Sequence, residues 1–335
     1  MITFKDTCLD FVYPKIVKEL LEKGELVAPR GMLTKEFLEP VAITLEDSSR
    51  SMISYNERKA LISFYFGEFI WMLAGSNDLE HVATYLKGWR NFTDDGKTLN
   101  GAYGNRIFNW ECSDGKIINQ FDEVYKKLKA DKNCRQAVIS IYNPAKDLKP
   151  TKDVPCNDFV QFYVRQNKLC CTVYQRSCDI ISGLTYDIHM FGMFQQLMAG
   201  RLGLEVGNYT HIANSLHLYE RDFKMAENIA ELYGWADSVY DAITKPIDYR
   251  ILNNYDEQIK LIIETEEYFR KFAYLIESDT VAELLSKIEN KNWKSALALL
   301  LIFNLRKCGR KEESKKYFCH LRNDLSILAI NRFTN

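Results

Sequence analysis

Two strand-like runs in the middle of the chain, followed by a long apolar helix, limit the possible folds more than any other feature. Residues 158–165 and 168–175 are rich in β-branched and aromatic residues, and the Gln166-Asn167 pair between them suits a tight hairpin turn. Residues 186–202 then carry apolar residues at helical spacing. Because strands cluster in the centre of the chain instead of alternating regularly with helices, we expect an α+β fold.

Weaker patterns extend this prediction to both sides of the central hairpin. Strands are expected at residues 137–142 and 206–213, and a helix at residues 14–23 with Pro14 in its first turn. Gly203 is a typical stop for the long apolar helix. The predicted strands therefore stay grouped in the central part of the chain.

The composition changes near residue 250. Residues 255–335 contain only helical patterns rich in Leu, Ile, Lys and Glu, with Gly309 as the one glycine. We therefore expect one domain over residues 1–250 and an all-helical C-terminal extension over residues 251–335. The sequence of that extension does not indicate its purpose.

The charge balance argues against several classes of partner. Lysine and arginine number 44 against 45 acidic residues, so the formal net charge of −1 gives no global basic field for nucleic acid or an acidic membrane. The N-terminal residues lack the apolar core of a signal peptide, and the longest apolar run, residues 296–303, is too short to span a bilayer. Nine cysteines occur without CxxC spacing or a His/Cys metal constellation. The composition therefore predicts a cytoplasmic protein with no metal, nucleic-acid or membrane partner.

A short segment, QRSCD at residues 175–179, carries the clearest chemical signal. Cys156 lies twenty residues before Arg176, and Asp187 lies eleven residues after it. A thiol beside an arginine can act as a thiolate nucleophile, and an arginine–serine pair suits phosphate oxygens. Taken singly, each residue has a structural alternative: an inert buried thiol, a solvated arginine or a helix-capping aspartate. Their common register favours one functional site.

Together with Pro155-Cys156 and His217-Leu218-Tyr219, this segment resembles the thymidylate synthase and deoxycytidylate (dCMP) hydroxymethylase family. The resemblance implies a central mixed sheet flanked by helices and a homodimer with shared active sites. It also implies transfer of a one-carbon unit from 5,10-methylenetetrahydrofolate to a pyrimidine nucleoside monophosphate.

The reacting groups are assigned by the same resemblance. Cys156 would be the nucleophile that adds to C6 of the pyrimidine and so makes C5 reactive. Glu68 would be the general acid/base that organises water near the base, and Tyr103 would lie near the nucleophile. For Glu68, which sits among apolar residues of a predicted helix, a surface salt bridge is the alternative.

Binding residues follow in the same way. Four residues would contact phosphate oxygens: Arg30, Arg135, Arg176 and Ser177. In the family, the arginine at the position of Arg135 crosses the dimer interface to the partner's phosphate. His217 and Tyr219 would point the same way from a strand and hold the 3′-hydroxyl of the sugar. Asp179 would bind the pterin of the folate.

Position 187 concerns the choice of base. In the family, enzymes acting on uracil carry asparagine there and those acting on cytosine carry aspartate; this chain has Asp187. Cytosine offers an acceptor at N3 and a donor at its exocyclic amine, so a carboxyl group can accept from the amine and share a proton with N3. A mispaired polar edge costs about 1–3 kcal/mol, which is enough to choose a substrate. The resemblance therefore implies C5 hydroxymethylation of dCMP.

Two departures from the family pattern also favour hydroxymethylation of a cytosine nucleotide. Asn157 follows the nucleophile, where the methylating enzymes usually have a histidine that serves O4 of uracil. No segment after residue 250 resembles the terminal peptide that closes over folate in thymidylate synthases, which favours capture of the one-carbon unit by water over hydride transfer. Methylation of dCMP or dUMP, hydroxymethylation of CMP, and a non-catalytic nucleotide-binding or interaction role through the helical extension stay open as alternatives.

Overall fold

The computed structural model describes residues 1–234 and 246–323, together with residues 325, 326 and 329. The strands are, in chain order, β1 (Ile2–Asp6), β2 (Glu25–Val27), β3 (Thr34–Glu36), β4 (Val41–Leu45), β5 (Trp110–Glu111), β6 (Ile117–Ile118), β7 (Val138–Ser140), β8 (Asn157–Arg165), β9 (Lys168–Gln175), β10 (Cys178–Asp179), β11 (Glu205–Ala213) and β12 (Leu216–Tyr219). The helices are α1 (Leu9–Lys23), α2 (Ile62–Leu73), α3 (Leu79–Tyr85), α4 (Tyr103–Phe108), α5 (Gln120–Ala130), α6 (Pro144–Asp147), α7 (Leu184–Leu202), α8 (Phe223–Ala230), α9 (Tyr255–Phe272), α10 (Ser278–Ser286), α11 (Lys291–Lys307) and α12 (Lys311–Ser314).

These elements group into two compact units. Unit 1 contains Met1–Ala60, Gln120–Pro144 and Pro155–Ile247, and unit 2 contains Leu61–Asn119, Ala145–Val154 and Asp248–Asn335. The change in composition near residue 250 coincides with the start of the last segment of unit 2, whose helices cluster with α2 and α3. The division into domains at residue 250 remains a prediction.

Unit 1 is built on a mixed sheet in the order β1-β4-β11-β9-β8-β7. Strands β8 and β9 form the predicted hairpin, and its turn residues Gln166 and Asn167 have φ values of 49° and 59°. Two consecutive left-handed residues give a turn whose twist matches that of the strands, which is why a two-residue loop suffices. Strand β11 pairs parallel to β9 and antiparallel to β4.

Helix α7 covers one face of this sheet, packing on β9 and β11. It ends at Gly203, which has a φ of 65° as the predicted helix stop requires. Gln195, fully buried on α7, donates to the carbonyls of Leu169 and Gly207 at 2.8 Å and 3.0 Å. Both carbonyls lie beside the point where the register of β11 against β9 shifts.

A second, smaller sheet in unit 1 runs in the order β10-β12-β3-β2. Its strands are two to four residues long, too short for an alternating pattern to reveal them in the sequence. Asp179 pairs with His217 across β10 and β12, and Tyr219 pairs with Thr34 across β12 and β3. The 3-10 turn at Pro29–Gly31 lies between β2 and β3.

Unit 2 is centred on α2, every residue of which is buried. The Phe69 ring stacks on that of Trp293 on α11 with centroids 5.9 Å apart, and Phe66 meets Tyr249 edge-on at 6.0 Å. The helical tail therefore supplies part of the core around α2. None of the described helices is both long and apolar enough to cross a bilayer.

The mixed sheet flanked by helices confirms the α+β prediction, and the helical C-terminal region is present as expected. Strand β9 has the predicted bounds.

The prediction for residues 14–23 was wrong at its start, because α1 begins at Leu9 and Pro14 lies inside it. Asp10 explains the extra turn: its buried carboxylate accepts from the Ser54 amide at 2.9 Å and the Ser54 hydroxyl at 2.7 Å.

Candidate functional site

The hairpin register places Cys156 and Arg176 side by side. Cys156 directly precedes β8 and Arg176 directly follows β9, and Asn157 is paired with Gln175. The Arg176 amide donates to the Cys156 carbonyl at 2.9 Å, and its Nε donates to the Pro155 carbonyl at 2.9 Å. One guanidinium nitrogen lies 3.8 Å from the Cys156 sulfur, which is partly exposed. A guanidinium close to a partly exposed thiol is an arrangement that favours the thiolate form.

Asp187, in the first turn of α7, meets two amide donors. Gln175 Nε2 donates to Oδ2 at 2.8 Å, and Asn157 Nδ2 donates to Oδ1 at 3.4 Å. Burial of the carboxyl raises the pKa of Asp187 to about 7, against the lowering effect of the two amides. A carboxyl that titrates there can share a proton with a ring nitrogen.

Asn157 brings a second polar atom to this cluster. The side chain is 0 % exposed, and its Oδ1 finds no hydrogen-bond donor among the described residues. A buried acceptor without a donor costs about 1–3 kcal/mol.

The small sheet brings the proposed sugar residues together. The His217 and Tyr219 rings meet edge-on with centroids 5.1 Å apart, so both lie on one side of β12 as alternate residues of a strand should. Arg30, in the turn between β2 and β3, is exposed and has a φ of 54°. Its role in phosphate binding remains a prediction.

The Asp179 carboxylate accepts three hydrogen bonds. Its Oδ1 accepts from the amides of Ile181 and Ser182 at 2.9 Å and 3.1 Å, and its Oδ2 accepts from Arg221 at 3.1 Å. A carboxylate has about four acceptor positions, so one position is left for a pterin N–H. Arg221 was missed in the sequence, although its place two residues after Tyr219 could have suggested it.

The remaining predicted residues are spread over both units. Ser177 is partly exposed beside Arg176, and Arg135 is exposed just before β7, with its carbonyl accepting from Gln161 at 3.1 Å. Glu68 is 8 % exposed in the middle of α2, and Tyr103 begins α4. The roles of these four residues remain predictions. Among the described residues, no three His, Cys, Asp or Glu side chains converge as metal ligands.

Comparison with known proteins places this geometry in context. A family model described as thymidylate synthase matches residues 12–233. The chain is 38% identical over 245 residues to a deoxyuridylate hydroxymethyltransferase of Bacillus phage SP01, covering 70% of this chain and 63% of the phage protein. It is 31% identical over 161 residues to a thymidylate synthase of Buchnera aphidicola subsp. Baizongia pistaciae, covering 48% of this chain and 61% of that protein.

A second thymidylate synthase, from Buchnera aphidicola subsp. Schizaphis graminum, is 30% identical over 171 residues, covering 51% of this chain and 64% of that protein. The chain thus spans less than two thirds of the length of each of these three relatives. The family match nevertheless takes in the hairpin, the small sheet and α7, the elements that carry Cys156, Arg176 and Asp187. The chain belongs to the thymidylate synthase family.

Proposed function

We propose that this chain hydroxymethylates C5 of the cytosine nucleotide dCMP, using 5,10-methylenetetrahydrofolate as the one-carbon donor. The observation that carries the proposal is the pair formed by Asp187 and Asn157. The Asp187 carboxyl titrates near neutrality, and the buried Asn157 Oδ1, on a side chain 3.4 Å from that carboxyl, lacks a donor. The exocyclic amine of cytosine is a donor, whereas O4 of uracil is an acceptor.

The nucleophile follows from the Cys156–Arg176 contact. The Cys156 sulfur adds to C6 of the pyrimidine, and the electron pair of the C5–C6 double bond makes C5 nucleophilic. Arg176 stabilises the thiolate before addition, and a guanidinium fork of this kind suits the oxygens of a phosphate. C5 forms a bond to the transferred carbon and gives up its proton to a base, after which expulsion of the Cys156 sulfur from C6 restores the C5–C6 double bond.

Binding of the folate would rest on unit 1. Methylenetetrahydrofolate supplies the one-carbon unit, and water supplies the hydroxyl of a hydroxymethyl product. The spare acceptor position of Asp179 is suited to a pterin N–H, and Arg221 holds that carboxylate in place from the other oxygen. Glu68 remains the proposed general acid/base and Tyr103 a proposed neighbour of the nucleophile.

Deoxyuridylate is a second candidate substrate. It is favoured by the 38% identity to a protein described as a deoxyuridylate hydroxymethyltransferase. A protonated Asp187 carboxyl carries one O–H donor and one acceptor, the same pattern that an asparagine amide offers to uracil. The Asn157 side chain beside Asp187, in the place of the histidine that serves O4 of uracil in the methylating enzymes, is the feature that argues for cytosine over uracil.

The decisive experiment is incubation of the protein with methylenetetrahydrofolate and dCMP, CMP or dUMP in separate reactions. We expect dCMP to gain one CH2O unit by mass and dUMP to be converted far more slowly. A gain of CH2 would show methylation instead. Faster conversion of dUMP than of dCMP would overturn the cytosine assignment, and nucleotide binding without turnover would favour a non-catalytic role.

We also propose a homodimer with shared sites. On the sheet face opposite α7, the Phe159 and Tyr174 rings stack at 4.4 Å yet stay partly exposed, and Val138 on the edge strand is 40 % exposed. A partly apolar sheet face of this kind suits burial against a second copy. The exposed Arg135 lies next to the same edge strand.

Complementation tests the shared site. Cys156→Ser and Arg135→Ala should each lose most activity, and a mixture of the two should recover part of it, because one site of each heterodimer keeps both residues. Subunit exchange is verified by mass spectrometry of differently tagged chains. Exchange without recovery of activity would contradict the assignment of Arg135 to the partner's site.

A further inference from the structure

A line of four polar side chains runs from Asp187 into the interior of unit 1. Gln175 Nε2 lies 2.8 Å from Asp187 Oδ2, and Gln175 Oε1 lies 2.6 Å from His211 Nε2. His211 Nδ1 lies in turn 3.1 Å from the Tyr209 hydroxyl. Gln175, His211 and Tyr209 are 2 %, 0 % and 0 % exposed, so water does not compete for these contacts.

The sheet explains why these residues meet. Strands β9 and β11 are parallel neighbours, and their register pairs Ala213 with Gln175 and Val173 with His211. His211 is therefore one step diagonal from Gln175, within reach of a long side chain. Tyr209 and His211 lie two residues apart on β11, and their rings stack with centroids 6.3 Å apart.

The chain of contacts has a defined direction. Burial lowers the pKa of His211 to about 3, so the ring is neutral and carries one N–H. If that hydrogen is on Nε2, it donates to Gln175 Oε1, and Nδ1 accepts from the Tyr209 hydroxyl. Gln175 then turns its amide nitrogen toward Asp187, as the structure has it.

The opposite direction would leave a group unsatisfied. It would require His211 Nδ1–H to donate to the Tyr209 oxygen, and the buried Tyr209 O–H would then need another acceptor. Among the described residues, His211 is the one hydrogen-bond partner found for that hydroxyl. Because a buried donor without an acceptor is costly, Tyr209 selects the tautomer of His211, and His211 selects the orientation of the Gln175 amide.

This direction matters for the proton on Asp187. With the Gln175 N–H on Oδ2, the carboxyl proton is not held between Asp187 and Gln175 and is available to a ligand. In the reversed arrangement, Asp187 would have to donate that proton to Gln175 Oε1, where a base could not share it. The hydrogen bonds from Tyr209 through His211 and Gln175 form a relay that ends at Asp187. Their direction decides whether Asp187 can offer its proton to a ligand.

We propose that His211, oriented by Tyr209, is a positioning residue for base selection: it holds the Gln175 amide so that the proton of Asp187 is directed to the nucleobase. The proposal rests on the proposed function in one respect, namely that Asp187 reads the base. The plain alternative is that His211 only fills the core between β9 and β11. That role would affect stability but not the choice between two bases.

The test measures the ratio of kcat/KM for dCMP to kcat/KM for dUMP in variants at position 211. His211→Phe keeps a buried ring without the N–H, and we expect the ratio to fall about ten- to hundredfold. His211→Gln places an amide N–H near the position of Nε2 and should keep the ratio within about threefold of wild type. Tyr209→Phe, which frees the tautomer, should lower the ratio about three- to tenfold.

His189→Phe is the matched control. His189 is also buried in unit 1, at 2 % exposure, and its Nδ1 lies 3.0 Å from the Ser51 hydroxyl, outside the relay. Its loss should lower the melting temperature as much as His211→Phe while leaving the ratio within about threefold of wild type. If His211→Phe does not fold, His211→Asn replaces it, since its shorter amide cannot reach Gln175.

An unchanged ratio in folded His211→Phe or His211→Asn overturns the proposal, as does an equal fall in His189→Phe. The cytosine assignment fails separately, if wild type prefers dUMP. In that case the relay is still supported if the His211 variant moves the ratio toward one and is overturned if it does not. If neither nucleotide is turned over, the ratio of dissociation constants from calorimetry serves as the same readout.

Discussion

Units 1 and 2 each contain a carboxyl whose pKa is shifted by its surroundings, and the two shifts are in opposite directions. Asp187 in unit 1 receives hydrogen bonds from two neutral amides, and burial raises its pKa to about 7. Glu266 on α9 in unit 2 is 0 % exposed; burial alone would raise its pKa, but His81 and Arg270 hold it below the ordinary value. Neighbouring charge, and not depth alone, therefore decides whether a buried carboxyl stays ionised.

The difference separates a site from a structural contact. Glu266 accepts from the Tyr85 hydroxyl at 2.6 Å and from Arg270 Nε at 2.8 Å, and His81 Nε2 lies 3.1 Å from its other oxygen. Its acceptor positions are largely taken up inside unit 2. Asp187 is partly exposed and keeps acceptor capacity together with a titratable proton. A carboxyl such as that of Asp187 is therefore suited to binding a ligand.

Asp187→Asn should give the largest effect. The amide cannot share a proton with cytosine N3, but it offers a donor to O4 and an acceptor to N3–H of uracil. The ratio of kcat/KM for dCMP to that for dUMP should fall by about two to four orders of magnitude. Steady-state kinetics with both nucleotides measures the change. A variant that keeps its cytosine preference would remove Asp187 as the base-reading residue.

Glu266→Gln should lower the free energy of unfolding and leave the choice of nucleotide unchanged. Removing the negative charge leaves Arg270, whose side chain is 13 % exposed, without its counter-ion, and breaking a buried pair costs about 3–5 kcal/mol of unfolding free energy. Urea unfolding of both proteins measures the loss. The nucleotide ratio of the folded variant should match wild type. A loss below about 1 kcal/mol would show that the pair resembles an exposed salt bridge.

The two carboxyls should also give opposite pH dependence of stability. Asp187 binds its proton more tightly when folded, so it contributes less stability as the pH rises from its ordinary pKa of 3.8 to about 7. Glu266 binds its proton less tightly when folded, so the stability it contributes is present above its ordinary pKa of 4.5 and is lost as the pH falls below it.

Melting temperatures across this range should show both trends. Relative to wild type, Asp187→Asn should gain stability from pH 3.8 to about 7 and then stay level. The deficit of Glu266→Gln should shrink on acidification below pH 4.5. Parallel curves for wild type and Asp187→Asn would contradict the raised pKa of Asp187.

Alternating residues and a two-residue turn in one stretch of chain predicted the central hairpin. The Cys156–Arg176–Asp187 set was proposed from a resemblance to a known family, and its function remains a prediction. The relay was not predicted. His211 and Gln175 are 36 residues apart, and only the register of two parallel strands brings them together. Helix α1 was mispredicted for a similar reason, because the partner of Asp10 lies 44 residues away. A residue fixed by tertiary contacts leaves no local signal.

The smallest effect expected is that of Tyr85→Phe, the counterpart in unit 2 of Tyr209→Phe. The Tyr85 hydroxyl donates to Glu266 and accepts from Asn304 at 3.3 Å, while its ring lies so close to α2 that a Cβ on Gly67 would come within 2.3 Å of it. Phenylalanine keeps that ring contact and removes both hydrogen bonds, of which the one to the charged Glu266 is the stronger, so the unfolding free energy should fall by about 1.5–3 kcal/mol.

The pair of tyrosine variants sharpens the contrast between the units. Each loses one hydroxyl at the inner end of a buried network, and both should be less stable in urea unfolding. Only Tyr209→Phe should lower the ratio of kcat/KM for dCMP to that for dUMP, because the Tyr209 hydroxyl sets the direction of the relay that ends at Asp187. The Tyr85 hydroxyl instead donates to the Glu266 carboxylate, which is already charged and paired. An equal change of ratio in Tyr85→Phe would show that both networks act through general packing, and the functional distinction between the two carboxyls would be lost.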